Sequence, residues 1–215
     1  MADIPKMCRF CNDPRRLHQC DYKGTAFVNT FNASTAGQKD AFAVLDLDNV
    51  NDGSVVQSWK RGFATLGSKS GLLIVDEYTG SNESQLANVT WALHTHATVQ
   101  TLPASSSDKG FHLSSTGGSA SNDVLVRVIE PVAAVLDSVA LPGIKNDKNY
   151  PDPGLTKLMI SVLAGDSQFR STTQANENPP ALQRIIVHIG EGPVDKVNVR
   201  PLQEWRTAGP LSHGQ

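Results

Sequence analysis

The sequence predicts an all-β fold, an antiparallel β-sandwich with a short irregular N-terminal extension, on three observations. From Thr25 onward, short runs rich in Val, Ile, Leu, Thr and Phe alternate with clusters of Gly, Asn, Asp, Ser and Pro, the pattern of strands punctuated by turns. No window repeats apolar residues at three- and four-residue spacing, so no helix is expected. All three cysteines, Cys8, Cys11 and Cys20, fall in the first twenty residues, so the main fold rests on a core rather than on disulfides. A chain of 215 residues is long enough to bury one. The expected layout is an extension over 1–24, one sandwich over 25–205 and a tail over 206–215.

Taken in order, strands are expected at 41–46 and 55–66, the second as one strand or as two divided at Gly62, then at 72–76 and 89–101. Further strands are expected at 110–114, 124–129, 133–139, 156–163, 184–188 and 194–199. Turns rich in Gly, Asn, Asp and Ser separate them at 51–54, 79–84, 105–110 and 115–123. The stretches 141–154 and 171–181 carry too much Pro, Asn and Asp for strands and read as long loops.

Charge excludes several functions. Nineteen basic and 21 acidic residues leave a net charge of −2 with no basic block, so no nucleic-acid or anionic-membrane surface is expected. No apolar run is long enough to cross a bilayer, and the first twenty residues lack the apolar stretch of a secretory signal. The triplets beginning at Asn32, Asn82 and Asn88 are N-glycosylation acceptors in an exported chain and chance in any other.

Several side chains carry candidate chemistry. Cys8, Cys11, His18 and Cys20 contain the Cys-x2-Cys grip of a zinc site, but the His-x-Cys half is too tight. An unstructured tail or a disulfide stays open beside zinc, and no other cofactor is expected. Asp46 and Asp48 share a face if the strand continues, and the Asn- and Asp-rich stretch after them favours the start of a turn. Asp76 and Glu77 end an apolar strand, with Arg61 as the partner for one of them in a structural ion pair. Tyr22, Tyr78 and Tyr150 stand without a visible base. In "VTWALHTHATV", alternation turns Val89, Trp91, Leu93, Thr95, Ala97 and Val99 to the core and His94 and His96 to the polar face. These histidines therefore read as half-exposed sheet residues. Trp59, Trp91 and Trp205 are aromatic groups that can stack on sugars, although Trp91 falls on the core face.

Over about residues 25–205, an ordered series resembles the C-terminal β-sandwich region of heparinase II/III-like polysaccharide lyases. The series is "LDLDNV" with Asp46, "SWKRGF" with Trp59 and Arg61, "LLIVDEY" with Asp76, and "WALH" with Trp91 and His94. "PDPGLTKLMISV" and "VRPLQEW" look like later landmarks of the same region. The resemblance implies a family reaction, β-elimination of uronic-acid-containing polysaccharides, and an exported parent acting on an acidic polysaccharide. It also implies an N-terminal catalytic toroid and two His-bearing segments, and this chain has none of the three. No catalytic residue carries over, so the expectation is a truncated, non-catalytic sandwich, inactive alone, whose sheet edges need a missing N-terminal region to cover them. A stand-alone carbohydrate-binding domain, or a zinc-containing interaction domain, is the alternative.

Overall fold

A computed structural model describes residues 26–33, 41–48, 56–66, 71–80, 88–103, 109–115, 123–141, 154–163, 182–191 and 198–212. These residues form the expected all-β sandwich. Its strands are β1 (Phe27–Asn32), β2 (Phe42–Asp46), β3 (Val56–Thr65), β4 (Gly71–Gly80), β5 (Asn88–Thr95), β6 (Thr98–Thr101) and β7 (Gly110–Ser114). The chain continues through β8 (Val124–Glu130), β9 (Val135–Leu141), β10 (Leu155–Leu163), β11 (Gln183–Gly190), β12 (Asn198–Val199) and β13 (Leu211–Ser212). Every pairing is antiparallel. The large sheet runs β1-β2-β3-β4-β11-β8-β7-β6, the small one β5-β10-β9, and β12 pairs with β13.

Strict alternation on β4 and β11 gives the large sheet two apolar faces. One face turns Ile74, Phe111, Val126, Ile185 and Val187 toward Trp91, Leu158, Ile160 and Val162 of the small sheet. The other turns Phe42, Val44, Leu73, Val75 and Ile186 toward Val199, Leu202 and Trp205. A C-terminal strap therefore covers the face that the small sheet leaves open.

One open alternative is settled and three local expectations need correction. The strand over 55–66 is continuous through Gly62, and the glycine serves a close approach from outside the sheet. A Cβ there would stand 2.3 Å from Leu202 Cδ2 and 2.8 Å from Trp205 Cη2. The single strand over 89–101 is two strands in different sheets. Thr95 Oγ1 accepts the Ala97 N–H at 3.0 Å, and His96 Nδ1 lies 2.9 Å from the Gly154 carbonyl oxygen. A threonine that captures a nearby backbone N–H offers an alternative to the ladder, so the chain turns the corner without Gly or Pro. No helix was expected, yet a 3-10 turn (Leu202–Glu204) leads into one α-helical turn, α1 (Trp205–Ala208). Four residues are too few to show a helical period, and buried Trp205 holds this turn in place. Finally, β1 lies before the first expected strand, and β13 ties the described part of 206–215 to β12.

Candidate functional site

The sequence "IVDEY" on β4 sends consecutive carboxylates to opposite faces, and each finds an arginine. Asp76, fully buried, faces the small-sheet side. Arg61 stands directly across from it on β3 and grips it with both ends of the guanidinium, Nε to Oδ1 at 2.7 Å and Nη2 to Oδ2 at 2.8 Å. Trp59 Nε1 donates to Oδ1 at 3.1 Å. The Trp59 ring stacks on Tyr78 at 5.6 Å, and the Arg61 guanidinium carbon lies 5.5 Å from its centroid. Burial alone would lower the Arg61 pKa, but bonding and attraction to Asp76 win and raise it. Burial, then the neighbouring Asp76 charge, pushes the Tyr78 phenol far above its ordinary value. Tyr78 therefore stays protonated and is no base near neutral pH.

On the opposite face, Glu77 holds the C-terminal strap. Its Oε1 accepts the Leu202 N–H at 3.1 Å and lies 3.2 Å from Arg184 Nε, an ion pair without hydrogen-bond alignment. Arg184 Nη2 donates to the Val199 carbonyl at 3.1 Å, and its Nη1 lies 3.9 Å from Glu130. Arg200 in turn donates to the Ala208 and Leu211 carbonyls. Burial raises the Glu77 pKa, and Arg184 and the Leu202 N–H offset only part of the rise.

The other sequence candidates separate cleanly. Asp46 and Asp48 serve the turn as expected: Asp46 Oδ1 accepts the Asp48 N–H at 3.0 Å, and Asp48 Oδ1 accepts the Trp59 N–H at 2.6 Å. The structural ion pair expected between Arg61 and one of Asp76 and Glu77 forms with Asp76. His94 and His96 are exposed on the polar side of their stretch, and Trp91 is core. His94 pairs across the ladder with Lys157. Trp91 and Trp205 are buried, so neither is a surface sugar platform, and Trp59 is packed against Tyr78 and Arg61. Asn32 is half-buried at the end of β1, and Asn88 pairs with Leu163 in the β5–β10 ladder. Cys8, Cys11, His18, Cys20, Tyr22, Asn82 and Tyr150 lie outside the described residues. Among the described residues, no group of three His, Cys, Asp or Glu side chains could hold a metal ion.

Sequence reasoning missed the Glu77–Arg184–strap junction and a second polar feature beside β1. A groove of about 380 Å³ is lined by Asn29, Thr30, Phe31, Asn32, Phe42 and Arg206. Register slips between Val28 and Thr30, leaving Asn29 as a bulge. No motif marks a bulge on β1, nor the approach of Arg206 to the same groove from the far end of the chain.

No family model matches the chain, and no curated protein does. Solved structures to which the chain is similar include the heparan sulfate lyase HepC from Pedobacter heparinus, at a TM-score of 0.47 and 8% identity, covering 82% of this chain and 25% of that one. A mutant of the same lyase gives 0.47 and 9%, covering 82% and 26%. Heparinase III, the BT4657 gene product with methylated lysines, gives 0.45 and 13%, covering 78% and 23%. The chain spans about a quarter of the length of these proteins.

Proposed function

We propose that this chain is a non-catalytic β-sandwich portion of a heparinase II/III-like polysaccharide lyase, a structural part of an exported enzyme for an acidic polysaccharide. Support comes from the ordered sequence landmarks and from what their side chains do. Asp48 fixes the backbone of Trp59, Trp59 and Arg61 hold Asp76, and Trp91 fills the core between the sheets. The observation that carries the reading is the Asp76 carboxylate, 0% exposed with both oxygens engaged by Arg61. β-Elimination needs a base within hydrogen-bond reach of the proton beside the uronate carboxylate. A carboxylate sealed in a fork, beside a phenol held protonated, does not meet that need.

The test is the ultraviolet absorbance of the unsaturated uronate product. Purified chain is incubated with heparin, heparan sulfate, chondroitin sulfate or alginate beside a boiled control. A flat trace from folded protein is the expected result. A rise that disappears in His94→Ala or His96→Ala would overturn the reading and make the outer imidazoles catalytic.

A further inference from the structure

The groove beside β1 is lined by two asparagines, a threonine and an arginine between two phenylalanines, and its parts are positioned by elements already described. Trp205, fully buried, meets Phe42 edge-on at 5.9 Å, which fixes α1 against the β1–β2 edge of the large sheet. Arg206, the next residue, is thereby carried to the groove wall. It is exposed and has no acidic or carbonyl partner among the described residues, whereas Arg61, Arg184 and Arg200 are all engaged. The opposite wall is the bulged stretch of β1. Asn29 Oδ1 accepts from Thr30 Oγ1 at 3.1 Å, while its NH2 keeps no partner among the described residues. The half-buried Asn32 amide is likewise unbonded there. Phe31, 69% exposed, adds an apolar rim.

We propose that this groove binds an acidic sugar unit, Arg206 taking the carboxylate or sulfate and Asn29 and Asn32 taking hydroxyls. The assignment rests on the polysaccharide reading above and gives that reading a place of contact. Three features support it. The volume of about 380 Å³ falls within the range of roughly 300–1,000 Å³ typical of small-ligand sites. A guanidinium presents a planar fork that matches carboxylate and sulfate oxygens. Amides supply both donors and acceptors, which sugar hydroxyls require. The Arg206 guanidinium and the amide NH2 groups of Asn29 and Asn32 line this one groove with no protein partner among the described residues.

The experiment is isothermal titration of the full chain with a heparan sulfate hexasaccharide and, in parallel, with neutral cellohexaose. Arg206→Ala and Asn32→Asp are the variants, with circular dichroism confirming the fold. Arg206 is exposed, so its loss leaves the core intact, and Arg206→Gln serves as a second variant of similar length. The acidic hexasaccharide is expected to bind wild type with salt-dependent affinity, and Arg206→Ala to weaken it about tenfold, the size of one charge-assisted hydrogen bond. Asn32→Asp, nearly isosteric but anionic, is expected to weaken it at least as much. Any binding of cellohexaose should not respond to Arg206→Ala. Equal affinity in wild type and all three variants would overturn the groove while leaving the polysaccharide reading intact. No binding of the acidic glycan by wild type would overturn the groove and count against that reading as well.

Discussion

The two faces of β4 solve the same problem, a buried carboxylate, in different ways. Asp76 is satisfied within the sheet by its cross-strand neighbour Arg61, 15 residues earlier, through two short and well-aligned bonds. Glu77 is satisfied across layers, by Arg184 on β11 and by the Leu202 N–H, 125 residues later. The first arrangement stiffens one sheet. The second fastens the strap that covers the sheet, and its carboxylate is held protonated more readily than usual because burial outweighs its partners. A charge locked by in-register neighbours is therefore a feature of the sheet, and a charge locked by a distant segment is a feature of the assembly of layers.

Variants that break this contrast should rank by how much of a layer they remove. Trp205→Ala empties the centre of the strap's contact with Phe42, Val44 and Leu73. It should cost about 3–5 kcal/mol in urea denaturation, the usual range for an excised core aromatic. Glu77→Gln keeps an acceptor for Leu202 but loses the ion pair with Arg184. Because the buried carboxylate is already disfavoured, the cost should be smaller, about 1–3 kcal/mol.

The same residue gives a pH test. A raised folded-state pKa means that the folded chain holds a proton the unfolded chain has released. Glu77 should therefore contribute a stability that is present below the ordinary carboxylate range and lost as pH rises through its own raised value. His188 gives the opposite slope. Burial, then the Arg127 charge, lowers its pKa, so its contribution is present above the ordinary value near 6.5 and lost as pH falls below it. Melting temperature followed against pH should lose the first slope in Glu77→Gln and the second in His188→Gln. The smallest effect is expected for His94→Ala, within about 0.5 kcal/mol, because the ring is exposed on the outer side of the small sheet.

The contrast on β4 also explains what the sequence revealed. Period-two alternation placed Trp91 inside and His94 outside, and the two stretches "SWKRGF" and "LLIVDEY" offered Arg61 as a partner for Asp76 or Glu77, of which the cross-strand register selects Asp76. These are local or in-register relations, and residue pattern encodes them directly. The corner at Thr95–Ala97 was hidden because a threonine hydroxyl makes the turn that Gly or Pro would have announced. The sequence left one strand or two open at Gly62 because the glycine's purpose, to admit Leu202 and Trp205 from outside the sheet, is not a local one. The burial of Trp205 left no pattern in the sequence because the helix that buries it is one turn long. The β1 groove depends on a bulge and a residue from the far end of the chain, and neither leaves a pattern in one window.

The central claim is that the buried carboxylates hold the fold together, and a double-mutant cycle on Arg61 and Asp76 tests it most directly. Unfolding free energies of wild type, Arg61→Ala, Asp76→Ala and the double variant would be measured by urea denaturation. The account predicts that each single variant is strongly destabilised, because it strands its buried partner, and that the double variant loses less than the sum, with a coupling of about 2 kcal/mol or more. Additive losses with no coupling would contradict it, and the Arg61–Asp76 fork would then have to exist for something other than stability.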